Sequence, residues 1–190
     1  MKSLIISQPK SGTYLLANVL QNMGLMFTYM HINAGAYDRY NPQDLEDGRK
    51  HPERYRTKAS IEEALEQIND NEFAVTHHIY SQKLEQQLYN FKKIILHRNP
   101  KDAADSWNRW NKESGRNRPR KVTIPDSIKK WSDKRWTFTL SFEDMINKNT
   151  KVIDDLQQFL FAEIKYNSLD ILELSLSQDS LTKSSLRNVN

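Results

Sequence analysis

The chain has 190 residues, of which 37% are hydrophobic and 27% charged, with a formal net charge of +4 and no cysteine. This length and composition predict a single globular domain over residues 1–190, and the lack of cysteine excludes disulfides, thiol catalysis and cysteine metal sites. No apolar stretch approaches the roughly 20 residues of a membrane span, and the first residues run directly into a predicted strand, so we expect a cytoplasmic protein without a targeting segment.

Residues 4–23 contain the clearest local pattern, a strand that turns sharply into a helix. A short apolar run predicts a buried strand, a turn around Gly12 ends it, and apolar residues recur at helical spacing from Thr13 onward. Such a turn points several backbone N–H groups and the positive end of a helix dipole at one place. Lys10 and Ser11 add a cation and a hydroxyl there. The stretch therefore predicts a phosphate-binding, P-loop-like strand–loop–helix.

This loop differs from the nucleotide-triphosphate pattern G-x-x-x-x-G-K-[ST], because only Gly12 is present and Lys10 precedes it. A phosphate held by backbone amides and Lys10 is therefore favoured over a triphosphate–magnesium site. An ordinary strand-to-helix turn is the alternative that the residues alone leave open.

The remaining chain alternates short strands with helices. Strands are predicted at 25–27, 73–76, 92–96 and 136–141, and helices at 60–68, 81–88, 100–110, 127–131, 152–160 and 166–176. The alternation predicts an α/β fold with three layers, α/β/α, around a central, mainly parallel sheet. Residues 31–58 show little periodicity and are expected to be an irregular lid or acceptor-binding loop, with disorder as the alternative, and the tail 178–190 is expected to fray.

Polar side chains follow three of the predicted strands. Lys10 and Ser11 follow the first, His77 comes after the strand at 73–76, and Arg98 comes after the strand at 92–96. Because ligands of open α/β sheets bind at the carboxyl ends of the strands, we expect these groups along one edge. An imidazole suits a general base near neutral pH, and a guanidinium suits a terminal phosphate. Each also has an ordinary interpretation, a solvent-facing histidine or a surface ion pair.

Four segments lie in a fixed order along the chain. Residues 8–13 read Gln-Pro-Lys-Ser-Gly-Thr, residues 74–77 read Ala-Val-Thr-His, and residues 140–145 read Leu-Ser-Phe-Glu-Asp-Met. Residues 93–107 read Lys-Ile-Ile-Leu-His-Arg-Asn-Pro-Lys-Asp-Ala-Ala-Asp-Ser-Trp. In order and spacing these segments resemble the sulfotransferases that use 3′-phosphoadenosine 5′-phosphosulfate (PAPS), over nearly the whole chain, with 93–107 as the most specific match.

The resemblance implies an enzyme that moves a sulfuryl group from PAPS to a hydroxyl or amine acceptor by in-line attack and releases the 3′,5′-bisphosphate PAP. It implies that His77 is the general base and that Lys10 stabilises charge on the leaving group. The cofactor-binding residues that it implies are Lys10, Ser11, Gly12, Thr13 and Tyr14 on the 5′ side, Arg98 and Ser106 at the 3′-phosphate, and Phe142. No metal is expected, since the histidines show no metal-ligand spacing.

Several alternatives stay open at this point. His78 competes with His77 as the base, and because adjacent strand residues face opposite sides only one can reach the site. Leu15 and Asp105 depart from the family pattern, and its C-terminal Arg-Lys-Gly landmark is missing, so a catalytically inactive 3′,5′-bisphosphonucleotide-binding module of the same fold is the second hypothesis. A small P-loop kinase and a nucleic-acid binder fit the residues less well.

The expected partners are the nucleotide donor and an acceptor, which we expect to be a small molecule or a glycan. Its pocket is expected to form from residues 31–58 and from loops near Trp107, Trp110 and Trp131. No nucleic acid and no membrane span are expected, and the sequence has no dimerisation signature that would set the oligomeric state.

Overall fold

The apolar runs of the sequence form strands that pair into one sheet. The computed structural model describes residues 1–44, 47–48, 51–78, 80–113 and 126–178. The strands are β1 (Ser3–Ser7), β2 (Met26–Asn33), β3 (Ala36–Arg39), β4 (Arg56–Lys58), β5 (Glu72–Thr76), β6 (Lys92–His97) and β7 (Thr137–Ser141). Their order across the sheet is β4-β3-β2-β5-β1-β6-β7. The pairs β2–β5, β5–β1, β1–β6 and β6–β7 are parallel, whereas β2–β3 and β3–β4 are antiparallel, so the prediction of a mainly parallel sheet is confirmed.

The helices follow the amphipathic segments of the sequence. They are α1 (Thr13–Asn22), α2 (Ile61–Glu66), α3 (Gln82–Gln87), α4 (Pro100–Glu113), α5 (Asp126–Ser132), α6 (Phe142–Ile146), α7 (Thr150–Phe161) and α8 (Ser168–Gln178), with 3₁₀ turns at Pro42–Asp44 and Pro52–Tyr55. Ser60 and Glu63 form a capping box at the start of α2. The carboxamide oxygen of Asn99 accepts from the N–H of Lys101 at 2.9 Å and so caps α4.

Apolar side chains from both faces of the sheet are buried under helices. Successive strand residues point to opposite faces, so Val75 and Ala74 of β5 belong to two different core clusters. One cluster includes residues of α1, α7 and α8, and the other includes residues of α2, α3 and α5. This arrangement confirms the three-layer α/β/α architecture. Within the described residues, no helix is both long enough and apolar enough to cross a bilayer.

The expectation of an irregular segment at 31–58 is wrong for part of its length. β2 extends to Asn33, and two further strands, β3 and β4, follow. A turn with Gly35 at φ 73° joins β2 to β3, and the buried Asp38 carboxylate pairs with Arg56 of β4 at 2.8 Å. These strands depend on pairing with distant parts of the chain, which local periodicity does not register. Residues 114–125 and the predicted frayed tail, apart from Gln178 at the end of α8, lie outside the described residues.

Candidate active site at the carboxyl ends of β5, β1 and β6

The loop between β1 and α1 is held by its own backbone. The N–H of Gln8 donates to the carbonyl of Leu96 on β6 at 3.3 Å, and the N–H of Ser11 donates back to the carbonyl of Gln8 at 3.3 Å. Lys10 and Gly12 take left-handed conformations with φ of 66° and 86°. No side chain of the described residues caps α1, so the first N–H groups of this helix are directed at the loop. The arrangement is suited to binding an anion.

The ring of Phe142, the first residue of α6, lies close both to the loop and to Arg98, the residue that follows β6. A Cβ atom built on Gly12 would collide with this ring. The guanidinium carbon of Arg98 lies 4.1 Å from the centre of the same ring. Phe142 is only 4% exposed, so it supports the site from inside the protein.

Arg98 connects the two segments that are expected to bind phosphates. Its Nη1 donates to the carbonyl of Lys10 at 3.2 Å. Its Nε is buried and has no hydrogen-bond partner among the residues that the structure describes. Burial lowers the pKa of Arg98, and the nearby carboxylates of Asp102 and Glu143 oppose that effect. An arginine stays protonated in spite of such a shift, so a buried N–H of a cation is left without an acceptor. That is the donor chemistry expected of an anion site.

His77 follows β5 on the face of the sheet that α1 covers. Its Nδ1 lies 2.8 Å from the carbonyl oxygen of Ser7 and 3.1 Å from the Ser7 hydroxyl, which in turn lies 2.8 Å from the hydroxyl of Thr13. A carbonyl oxygen can only accept, so Nδ1 must carry the proton that the two atoms share. This assigns the tautomer in which Nε2 holds the lone pair. In this form Nε2 can take up a proton.

His78 is held in a different way from its neighbour. Its backbone N–H donates to the hydroxyl of Thr76 at 3.1 Å. Its Nε2 is buried and has no hydrogen-bond partner among the described residues. In contrast, Nδ1 of His77 contacts Ser7. Ser7 follows Ile6 on β1 and therefore lies on the opposite face of the sheet from it.

The aromatic residues of α4 border the loop. The Nζ of Lys10 lies 4.2 Å from the centre of the Trp110 ring, and Trp107 packs on Trp110 with ring centres 5.5 Å apart. Trp131, on α5, is fully buried in the core, so its own side chain does not face the loop. Tyr14 packs edge to face on Phe27 at 6.3 Å.

The structure brings together most of the residues singled out from the sequence. Lys10, Ser11, Gly12 and Thr13 lie in one turn, with His77 and Arg98 at the ends of the strands on either side. Ser106 is half-buried within α4. Two neighbours of His77 were missed. Ser7 could have been found as the last residue of its strand, whereas His31 falls in the segment that had no periodicity.

The fold and these motifs define the family. The chain matches the family model described as "Sulfotransferase domain" over residues 1–190, and it belongs to that family. No curated protein sequence matches it.

Solved structures with this fold include two proteins crystallised with PAP. The structure of mouse sulfotransferase SULT7A1 complexed with PAP is 18% identical, with a TM-score of 0.61, and the match covers 90% of this chain and 62% of that one. Retinol dehydratase in complex with androsterone and inactive cofactor PAP is 15% identical, with a TM-score of 0.62 and coverage of 92% and 63%. The chain thus spans less than two thirds of the length of these neighbours. At such identities the similarity establishes the fold.

Proposed function

We propose that this protein transfers a sulfuryl group from PAPS to a hydroxyl or amine acceptor, with His77 as the general base. The observation that carries the proposal is the position of three groups at the carboxyl ends of neighbouring strands: the α1 loop, the His77 imidazole and the Arg98 guanidinium. Membership of the sulfotransferase family and the PAP bound in two structural neighbours support the same donor.

The residues present fit a nucleotide with two separate phosphate groups. On the 5′ side, the N-terminus of α1 and Lys10 supply N–H groups and a cation, together with Ser11 and Thr13. On the 3′ side, Arg98 has a buried N–H without an acceptor among the described residues. The Nη1 contact from Arg98 to the Lys10 carbonyl keeps the two positions at a fixed separation. We include Ser106, Tyr14 and Phe142 among the residues that bind or border the nucleotide.

His77 is suited to remove the proton from the acceptor. PAPS supplies the activated sulfuryl group. The Ser7 carbonyl takes the Nδ1–H of His77, so its Nε2 can accept the acceptor's proton as the new S–O or S–N bond forms and the bond to the 5′-phosphate breaks. An imidazolium formed in this way keeps its Nδ1–H bond to Ser7, which stabilises the added charge.

Lys10 is suited to stabilise the leaving phosphate. Its ammonium lies over the face of Trp110, where a cation–π contact keeps it near the loop. From there we propose that it moves to the bridging oxygen on which negative charge develops. A small molecule or glycan with a ring that can stack on Trp107 or Trp110 is the acceptor class that these aromatic faces favour.

The experiment follows label transfer from ³⁵S-labelled PAPS to a panel of hydroxyl and amine acceptors, with PAP binding measured by calorimetry. His77→Ala should reduce transfer by about 100-fold or more, since general bases contribute on that scale. Its affinity for PAP should stay within a few fold. His78→Ala serves as the matched control and should keep most of the activity.

Arg98→Gln separates binding from chemistry. We expect it to weaken PAP binding by at least about tenfold, because a charged hydrogen bond to phosphate is removed. Wild-type transfer in His77→Ala would refute the assignment of the base. Tight PAP binding by the wild type without transfer to any acceptor would instead support the inactive binding module.

A further inference from the structure

The His77 ring contacts a second histidine. The ring centres of His31 and His77 lie 4.7 Å apart with an angle of 77° between the ring planes, which is an edge-to-face contact. His31 belongs to β2 and pairs with Val75 of β5, two residues before His77. Diagonal neighbours on adjacent strands are within reach of aromatic side chains. His31 therefore contacts the proposed base from the side opposite to Ser7, since β5 lies between β2 and β1.

An irregularity in β2 sets the position of His31. Phe27 pairs with Phe73 and His31 with Val75, so β2 uses four residue steps (27 to 31) where β5 uses two (73 to 75). Tyr29, inside this stretch, has φ 53°, which is unfavourable for an aromatic residue. Bulges of this kind occur next to active sites, where they redirect a side chain. Here the irregularity determines which residue of β2 comes to lie beside His77.

We infer that His31 is a positioning residue, which keeps the His77 ring in the orientation that presents Nε2 to the acceptor. The inference rests on the proposed function, because it assumes that His77 is the base. The bond from Nδ1 to Ser7 fixes one atom of the ring, but a ring held by this bond alone can tilt until the bond breaks. A second ring placed edge to face restricts the tilt. Small displacements of a catalytic group are costly in rate, so the contact matters for turnover.

The positioning role of His31 predicts different effects for two substitutions of this residue. His31→Ala removes the ring, and we expect kcat to fall by about tenfold, the scale of an edge-to-face contact. The KM values for PAPS and for the acceptor should not change. His31→Phe keeps a ring of similar size and should retain activity close to the wild type. His51→Ala, at a partly exposed histidine that pairs with Glu53, controls for the removal of a histidine as such.

A spectroscopic measurement makes the test independent of turnover. The ring ¹⁵N shifts of His77 should report mainly the Nδ1–H tautomer in the wild type and in His31→Phe, and a mixture in His31→Ala. Thermal melts and the Kd for PAP establish that each variant is folded. If His31→Ala keeps both the wild-type kcat and the wild-type ring ¹⁵N shifts of His77, the inference is wrong. It is also wrong if His31→Phe is as impaired as His31→Ala, or if the acceptor KM rises instead, because His31 would then bind the acceptor.

The two proposals fail in different ways. Full activity of His77→Ala refutes the base and with it the functional meaning of His31. Loss of activity in His77→Ala with no change in His31→Ala refutes only the positioning role. If no acceptor is found, unchanged His77 nitrogen shifts in His31→Ala still refute that role, and a tautomer mixture there supports the contact.

Discussion

The centre of the sheet and one of its ends are held together by different means. At β5, β1 and β6 the strands are parallel and pair in continuous register, and their apolar residues are buried on both faces. At β2, β3 and β4 the pairing includes a register shift and two antiparallel ladders. In the first region, backbone pairing and apolar packing hold the strands, and the proposed chemistry lies at their carboxyl ends. In the second region, specific side chains hold the strands.

A buried ion pair is the main such contact at the β2–β3–β4 end. The side chain of Asp38 is 3% exposed and accepts from Nε of Arg56 at 2.8 Å and from Nη2 at 3.2 Å. Asn33 donates to the same carboxylate at 2.8 Å. The hydrogen bond and charge of Asp38 raise the pKa of Arg56. The contrast predicts that substitutions in the loop after β1 change ligand binding, whereas substitutions at the β2–β3–β4 end change stability and leave ligand binding intact.

Gly12→Ala should give the largest effect. The added Cβ would meet the Phe142 ring, and the left-handed backbone at φ 86° is unfavourable for alanine. The two costs together amount to about 2–5 kcal/mol of unfolding free energy. PAP binding should be lost by calorimetry, because the loop cannot keep its shape.

Gly35→Ala is the matched control for this variant. Gly35 has a similar φ of 73°, but nothing lies within 4 Å of an added Cβ. Its cost should be about 1–2 kcal/mol, and PAP binding should be unchanged. If the two alanine variants bind PAP equally well, then the packing of Phe142 against the loop does not control the site.

Arg56→Gln tests the β2–β3–β4 end of the sheet. It leaves the Asp38 charge buried without its cationic partner, and we expect a loss of about 2–3 kcal/mol, below the range for fully buried pairs because Arg56 is 44% exposed. Urea unfolding measures the loss, and the Kd for PAP should stay within a few fold.

The double variant Asp38→Asn/Arg56→Gln should be more stable than Arg56→Gln alone, since no unpaired charge is then buried. A double variant that is the least stable of the set would show that the pair contributes by more than its charges. A large change in PAP affinity in Arg56→Gln would contradict the separation of the two regions.

The sequence predicted the centre of the molecule better than its end. The loop around Gly12 and the strand ends before His77 and Arg98 are local features: an apolar run, a turn and a helical pattern. β3 and β4 were missed because Asp38 and Arg56 meet only after folding, and no local pattern shows that they pair. His31 was missed for the same reason, since its position depends on a register shift.

The short helix α6 could have been found. It starts after Ser141, whose hydroxyl accepts from the N–H of Asp144, while the Asp144 carboxylate accepts from the N–H of Ser141. This is a capping box, and its Ser-x-x-Asp spacing is visible in the sequence. Burial alone would raise the pKa of Asp144, but the hydrogen bonds from Ser141 and Asn149 outweigh it and lower that pKa.

Lys93→Met gives the smallest predicted effect and tests how the centre is stabilised. Lys93 lies on β6, is 3% exposed, and donates from Nζ only over long distances, 3.4 Å to the Leu88 carbonyl and 3.3 Å to that of Phe91. If backbone pairing and apolar packing hold this region, the buried cation is a cost, and the methionine variant should be more stable by about 1 kcal/mol.

The matched control is the adjacent Lys92→Met. Lys92 donates at 2.9 Å to the Phe159 carbonyl and at 2.5 Å to that of Leu160, near the C-terminus of α7, where a cation is favourable. Its replacement should therefore cost about 1 kcal/mol. Equal losses in both variants would show that Lys93 contributes to stability as Lys92 does.

The pH dependence of the Lys93→Met effect provides a second check on its cause. Burial lowers the pKa of Lys93 below the ordinary lysine value of 10.5, so the folded state holds this proton less well than the unfolded state does. The cost of burying the charge is therefore fully present below the folded-state pKa and disappears as the pH rises towards 10.5. Urea unfolding of the wild type and the variant at pH 7 and pH 10 should show the advantage of methionine shrinking at the higher pH. An advantage that is the same at both values would mean that better packing of the methionine side chain, and not removal of the charge, produces the gain.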